Sequence, residues 1–471
     1  MRKVGRRGGG RAGQANRSKD AAAIEPYTRR QFPLFRYLDE EGLHRIELAA
    51  DTILEEVGMD FRGDPEVLAI LKAGGAEIRG ENARFPKGFC RNLIRRNAPE
   101  SFIHHARNPA RSVKVGGEAT VFGPAAGSPF IHDLDRGRRY ATKADYHETL
   151  KLTQALPHLH SAGGGQVEMI DLPVDERHLE SLPAEFRLTD KPVTGAVQGT
   201  EKAEDTIAMA KIVFGEKFLS ENVCLYAGLN TNSPLVFDAT MTDALKVYAR
   251  AGQAVLVSPY VLAGAMGPVT VAGSLAQQLA ETMAGLALVQ MVRPGNACAM
   301  GTFIGTVAMQ SGAPAYGTPE SLIGTVIACE LARRLGVPVN CAGGAVTASK
   351  VADGQAMQES ALTLQMTFLA GANIIWHCGG WLEGGLTFSL EKMILDAELS
   401  GVLQTFAKGL DVSDEGLALE AIREVGPGQH FFGAKHTLRN FRDAFWQPIV
   451  ADTHTYEQWQ EEGKLDAATR A

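Results

Sequence analysis

The sequence predicts an α/β protein, a (β/α)8 TIM barrel with a helical extension before it and a helical appendage after it. Three observations carry that expectation. Over residues 116–408 short apolar runs alternate with amphipathic stretches, the pattern of parallel strands joined by crossover helices. The alternation gives eight strands, each followed by a helix, in roughly 290 residues, which suits closure better than the doubly wound open sheet that is its alternative. Several of the apolar runs end in glycine-rich turns, and in a barrel such turns stand at the C-terminal face, where active sites are built.

Residues 1–30 form a basic tail. Its first 19 residues hold Arg2, Lys3, Arg6, Arg7, Arg11, Arg17 and Lys19 and no acid. The whole chain has 47 Lys and Arg against 54 Asp and Glu, a net charge of −7, so the remainder balances 40 against 54. No aromatic interleaves the arginines, and nothing else in the chain is basic, so no nucleic-acid partner is expected. Arg6 and Arg7 precede glycines rather than an apolar run, unlike a secretory signal. Residues 31–115 are expected to be mainly helical, from apolar spacing over 38–60, 65–73 and part of 86–107.

The expected barrel strands are 120–123, 159–163, 192–197, 223–228, 254–258, 297–303, 338–342 and 373–377. The expected helices lie near 143–156, 174–188, 200–214, 238–251, 270–292, 319–335, 354–370 and 389–408. Residues 409–471 are more charged and read as the helical appendage. Six dispersed cysteines without a CxxC pair argue against a disulfide framework and for a cytoplasmic protein. The uncharged stretch 251–280 is interrupted by Pro259, Gly264, Gly267 and Pro268, so no membrane span is expected. Between Arg250 and Glu320 only Glu281 and Arg293 are charged, consistent with a dry upper face or with well-buried elements.

Four turns carry the glycine signal: 162–166 (AGGGQ), 227–230 (AGLN), 342–344 (AGG) and 378–380 (CGG). No nucleotide fingerprint accompanies them. Tyr226, Tyr260, Phe303, Tyr316, Trp376 and Trp381 fall in or just after the strands, with His377 between the last two. Converging aromatic faces bind quaternary ammonium groups, although each residue alone would serve as ordinary packing. Glu383 and Glu320 are the candidate catalytic carboxylates, either able to balance a cation. Glu320 at a helix start also suits the helix dipole, which leaves Glu383 the stronger candidate. Cys298, Cys341 and Cys378 fall on neighbouring strands, but free cysteine is often a small core residue, so zinc is the minority reading and no metal site is assigned.

The segments PVTVAGSLAQQLAETMAGLALVQMVRPG, SGAPAYGTPE, AGGAVTASKVADGQAMQE and AGANIIWHCGGWLEGGLTFSLEKMILDAE, with the RRGGGRAGQANR start, resemble the trimethylamine methyltransferase superfamily. The resemblance implies a (β/α)8 barrel that moves a methyl group from an amine to the cobalt of a corrinoid carried by a partner protein. The archaeal trimethylamine enzymes carry pyrrolysine immediately after the AGG turn. Here Gly343 and Gly344 are followed by Ala345, so the chain resembles the non-pyrrolysine branch, which demethylates quaternary amines such as glycine betaine.

Physical reasoning agrees. A quaternary ammonium leaves as a neutral tertiary amine and needs no general acid. The enzyme must then hold the N–CH3 bond in line with cobalt(I) and exclude water. A substrate carboxylate would need a donor, for which Asn230, Gln166 and Arg293 are candidates. Self-association is expected as well. The alternatives are a zinc-dependent barrel methyltransferase and a non-catalytic protein that binds a betaine or a corrinoid partner.

Overall fold

The structure, a computed structural model, describes residues 25–471. The expected tail lies outside the described residues over 1–24. Seven strands run parallel in one curled sheet, in the spatial order Ala119–Phe122, Ile374–Ile375, Val339–Cys341, Cys298–Val307, Ala254–Val257, Leu225–Leu229 and Val193–Thr194. The last of these strands in chain order, Ile374–Ile375, thus pairs with the first, Ala119–Phe122. The expected strand 159–163 forms no ladder. It stands between the two edges of the sheet all the same. The His160 and Ser161 amides donate to the Phe122 carbonyl at 2.8 and 3.2 Å, and Ala162 donates to Pro192 at 2.9 Å. Positive φ at Gly163 and Gly165 turns the chain out of extended geometry and ends the pairing there.

Helices follow at Lys143–Ala155, Arg177–Leu188, Thr200–Phe214, Ala239–Arg250, Val271–Val292, Pro319–Leu335, Gly354–Leu369 and Leu390–Phe406. Their starts are written in the sequence as side-chain caps at Thr142, Asp238, Thr318, Asp353 and Ser389. Helix Val271–Val292 is buried on nearly every face from Ser274 to Gln290. It packs on the strand Cys298–Val307 and beneath the helices Glu40–Thr52 and Phe89–Asn97. That double cover explains the near absence of charge between Arg250 and Glu320. No helix among the described residues is long and apolar enough to cross a membrane.

Residues 31–115 are mixed rather than mainly helical. Met59–Arg62, Asn82–Arg84 and Glu77–Arg79 form a sheet that Val236–Asp238 extends from outside the region. The alternation of buried Met59 and Phe61 drives this strand, which is too short to announce itself. The hairpin Ser101–His104 and Val113–Gly116 inserts Val113 and Val115 among Val121, Ala254, Leu256, Ala297, Ala299 and Ile374. It forms an apolar plug inside the curled sheet. A second small sheet, Trp381–Leu382, Thr387–Ser389, Phe130–Asp133 and Gly137–Tyr140, was not expected; its polar hairpin at 130–140 carries little apolar signal. The C-terminal residues form short helices from Asp414–Leu417 to Ala467–Arg470.

The buried face of helix Leu390–Phe406 carries a fully enclosed ion pair. Lys392 Nζ lies 2.6 Å from Asp396 Oδ2 and also donates to the Ala345 carbonyl at 3.0 Å and Ser360 Oγ at 2.9 Å. Asp396 in turn accepts the Gly380 amide at 3.0 Å. Lys392→Met should cost about 3–5 kcal/mol by stranding a buried carboxylate. Adding Asp396→Leu should restore most of that loss, as read by urea unfolding of the two variants.

Candidate active site

Above the plug, the C-terminal ends of the strands surround a cavity of about 700 Å³. Tyr226, Tyr260, Phe303, Trp376, His377 and Trp381 all line it. Phe303 is the hub of the aromatic wall, with ring centroids 4.8 Å from Tyr260, 5.8 Å from His377 and 5.8 Å from Trp381. Tyr316 does not line the cavity. It stands behind the wall, 5.9 Å from Phe303 and 6.0 Å from Trp381, and its hydroxyl lies 3.0 Å from that of Tyr260. Tyr226 and Trp376 form a second pair at 6.4 Å, next to the plug.

Glycine makes room for the two indoles. A Cβ on Gly123 would overlap the Trp376 ring. Gly385 has φ +96 and lies where a Cβ would stand 2.6 Å from the Trp381 ring. His377 also takes a positive φ, 63°, at the turn after Ile374–Ile375. Burial depresses its pKa to about 3, so the imidazole adds no positive charge to the wall. Several buried polar atoms at the cavity have no hydrogen-bond partner among the described residues: the Tyr226 hydroxyl, Trp381 Nε1, His377 Nδ1, Asn340 Oδ1 and Glu185 Oε2. Buried groups left so are costly unless a ligand or water completes them.

Neither expected carboxylate belongs to the cavity. Glu320 is exposed in the first turn of Pro319–Leu335, where the helix dipole accounts for it. Glu383 accepts from Arg138 Nε at 2.8 Å and Thr387 Oγ1 at 2.7 Å. Desolvation works to raise its pKa, but these partners overcome that and hold it below the usual value. The unforeseen hairpin that carries Arg138 is the reason Glu383 is already neutralised.

Gly343, Gly344 and Ala345 are buried outside the lining, while Asn340 and Ala342 of the same segment reach it. Of the candidate carboxylate donors, Asn230 lines the cavity. Gln166 donates instead to the Ala162 carbonyl, and Arg293 to Arg250 at the opposite end of the strands. Cys298, Cys341 and Cys378 are buried, and none lines the cavity. Burial raises all three thiol pKa values, that of Cys298 to about 12.

The cavity also contains residues that the sequence did not single out. Glu185, on helix Arg177–Leu188, is 2% exposed and accepts from the Tyr146 hydroxyl at 2.7 Å. Burial pushes its carboxyl up to about 8 against the lowering effects of the Tyr146 hydroxyl and the Gly165 amide. Glu168 and Arg177 pair at 3.0 Å along the lining, and Lys202 joins them there. The signal for Glu185 was present: His178, Leu182, Glu185 and Phe186 share one buried helical face, and a lone acid on such a face is rare.

An aromatic, largely buried cavity at the C-terminal face of a curled parallel sheet defines a small-molecule enzyme of the α/β class. The chain belongs to the trimethylamine methyltransferase (MTTB) family, whose model matches residues 6–471, and is with that family a methyltransferase. It is 37% identical over 440 residues to the glycine betaine methyltransferase of Desulfitobacterium hafniense strain Y51, covering 93% of this chain and 91% of that one. It is 28% identical over 444 residues to a trimethylamine methyltransferase of D. hafniense strain DCB-2, covering 93% and 88%. The crystal structure of Methanosarcina barkeri monomethylamine methyltransferase is similar in fold, with a TM-score of 0.50 at 13% identity over 86% of this chain and 88% of that one.

Gly385→Ala should cost about 1–3 kcal/mol through backbone strain and should displace the Trp381 ring. Near-ultraviolet circular dichroism checks the displacement, with far-ultraviolet spectra unchanged.

Proposed function

We propose that the protein moves a methyl group from a small quaternary amine of the betaine type to the cobalt(I) of a corrinoid carried by a separate protein. The aromatic wall of Tyr260, Phe303, His377 and Trp381, beside unpartnered donors at Tyr226 and Trp381, is the observation that carries this reading. Aromatic faces attract a trimethylammonium group, and the two donors suit the carboxylate of a zwitterion. The likeness to glycine betaine methyltransferase supports the same substrate class. We read the sheet as a (β/α)8 barrel closed through residues 159–163, whose amides reach both edges.

In the reaction the C–N bond breaks and nitrogen keeps the bonding pair, leaving a neutral tertiary amine. Cobalt(I), as the second substrate, supplies the pair for the new Co–CH3 bond. The work of this chain is to hold the methyl group toward the mouth and to keep water away. Exposed Val174 and Leu386 and the glycines 127, 384 and 385 line the mouth side and suit a flat, largely apolar macrocycle. Because the ammonium charge vanishes during transfer, strong cation binding alone would hold the ground state back. A neutral His377 and a wall with no ionised carboxylate against it moderate that attraction. Ala345 is fully buried, its amide bound to the His377 carbonyl at 2.9 Å, and offers no side chain to activate a tertiary amine. The donor must therefore enter already cationic.

The test is incubation with reduced cobalamin and a panel of glycine betaine, proline betaine, carnitine, butyrobetaine and choline, following methylcobalamin absorbance. Methylation with at least one betaine is expected; silence across the panel, with active cobalt(I) confirmed, overturns the proposal. Trp381→Ala should lower kcat/KM by roughly tenfold or more, the scale of a desolvated cation–aromatic contact. Glu383→Gln should stay within about twofold of wild type, because its exposed ion pair lies outside the cavity.

A further inference from the structure

Glu185 is the one carboxyl of the cavity that no cation among the described residues pairs with. Its two oxygens differ. Oε1 accepts from the Tyr146 hydroxyl at 2.7 Å, whereas Oε2 is buried, at the cavity, and without a partner. The surrounding elements explain why no counter-charge reaches it. Arg177, on its own helix, is taken by Glu168, and His178 by Asp205 at 2.8 Å. Lys202, on Thr200–Phe214, donates to the Val174 carbonyl at 3.3 Å. Tyr146, on Lys143–Ala155, and Tyr248, on Ala239–Arg250, are the facing hydroxyls, and burial raises the pKa of both, so they remain neutral. An ionised carboxylate there would be a charge without compensation. The neutral acid fits instead: the Tyr146 hydroxyl and the nearby Gly165 amide serve one oxygen, and Oε2 is left to carry the proton, with no acceptor among the described residues.

We propose that Glu185 works as an un-ionised acid whose Oε2–H donates a hydrogen bond to the carboxylate of the substrate, and so selects betaines over quaternary amines that lack a carboxylate. This rests on the betaine reading above and deepens it. Glu185 then serves the anionic group, while the aromatic wall takes the ammonium end. The net charge is the decisive point. A zwitterion with neutral Glu185 adds no net charge to a buried site; a zwitterion with an ionised Glu185 adds one. The raised carboxyl pKa, about 8, accords with this and gives the inference a pH signature.

The test is calorimetric titration of glycine betaine into the whole protein from pH 6 to pH 9.5, with tetramethylammonium as the probe that lacks a carboxylate. Betaine affinity should be flat up to about pH 8 and then fall about tenfold per unit as the required proton is lost. Tetramethylammonium should show no such fall. Glu185→Gln, whose amide donates but cannot ionise, should keep betaine binding and remove the alkaline decline. Glu185→Leu should weaken betaine roughly tenfold or more while sparing tetramethylammonium. Betaine binding that strengthens above pH 8, or that collapses in Glu185→Gln, overturns the inference and makes Glu185 a counter-charge for the ammonium. A wild-type profile without an alkaline decline overturns it too, without reference to any variant. No binding of betaine at any pH removes the proposed function together with this inference.

Discussion

One ammonium and one carboxylate, sealed from water on helix Leu390–Phe406, hold together the turns on which the far side of the cavity stands. Lys392 fastens the Ala345 carbonyl at the end of the AGG turn, and Asp396 fastens the Gly380 amide one residue before Trp381. Each charge is satisfied by the other and by backbone or hydroxyl groups, which is the condition under which a buried pair is tolerable. The Ala345 amide donates to the His377 carbonyl, so the pair also sets the turn that presents His377 and Trp381. It acts with the Thr363 and Thr367 hydroxyls, which donate to the Gly344 and Gly343 carbonyls, to anchor two glycine-rich segments that have little side-chain packing of their own.

The cavity supported in this way has an uneven polarity. Its aromatic side is neutral, because burial keeps the His377 imidazole uncharged and the neighbouring carboxylate, Glu383, is neutralised by Arg138 outside the wall. Its polar side offers unpartnered polar atoms and a carboxyl whose pKa burial raises to about 8. Such a site binds a permanent cation by polarisable surface rather than by a fixed counter-ion. That choice suits a reaction in which the cation disappears: a fixed anion would hold the substrate more tightly than the transition state, while an aromatic wall loses less as the charge fades.

Much of the framework was legible in the sequence, since the eight helices after the strands are set by caps and apolar spacing that act locally. The segment 159–163 was read as a strand, but the positive φ of Gly163 and Gly165 cuts its pairing to a few bonds, a property that the apolar run alone does not reveal. The aromatic residues were legible as a set because each follows a strand, and topology then brings the strand ends together. Tyr316 differs because it lies past the antiparallel return Pro314–Ala315, one layer behind Phe303. The carboxylates were not legible. The role of Glu383 depends on Arg138, about 245 residues away and on a hairpin with a polar, weakly patterned sequence. Glu185 shares an apolar helical face with Leu182 and Phe186, but the Tyr146 hydroxyl that partners it comes from the preceding helix, a contact no local pattern shows.

The central claim is that positive charge on the substrate, and not its shape alone, is read by the aromatic wall. The direct measurement compares glycine betaine with 3,3-dimethylbutanoate, the carbon isostere that keeps the carboxylate and the three methyl groups but lacks the cation, by calorimetry at one pH and ionic strength. The account predicts that betaine binds roughly tenfold tighter or more, the scale of a cation–aromatic interaction in a desolvated site. Equal affinities, or tighter binding of the carbon isostere, would contradict it.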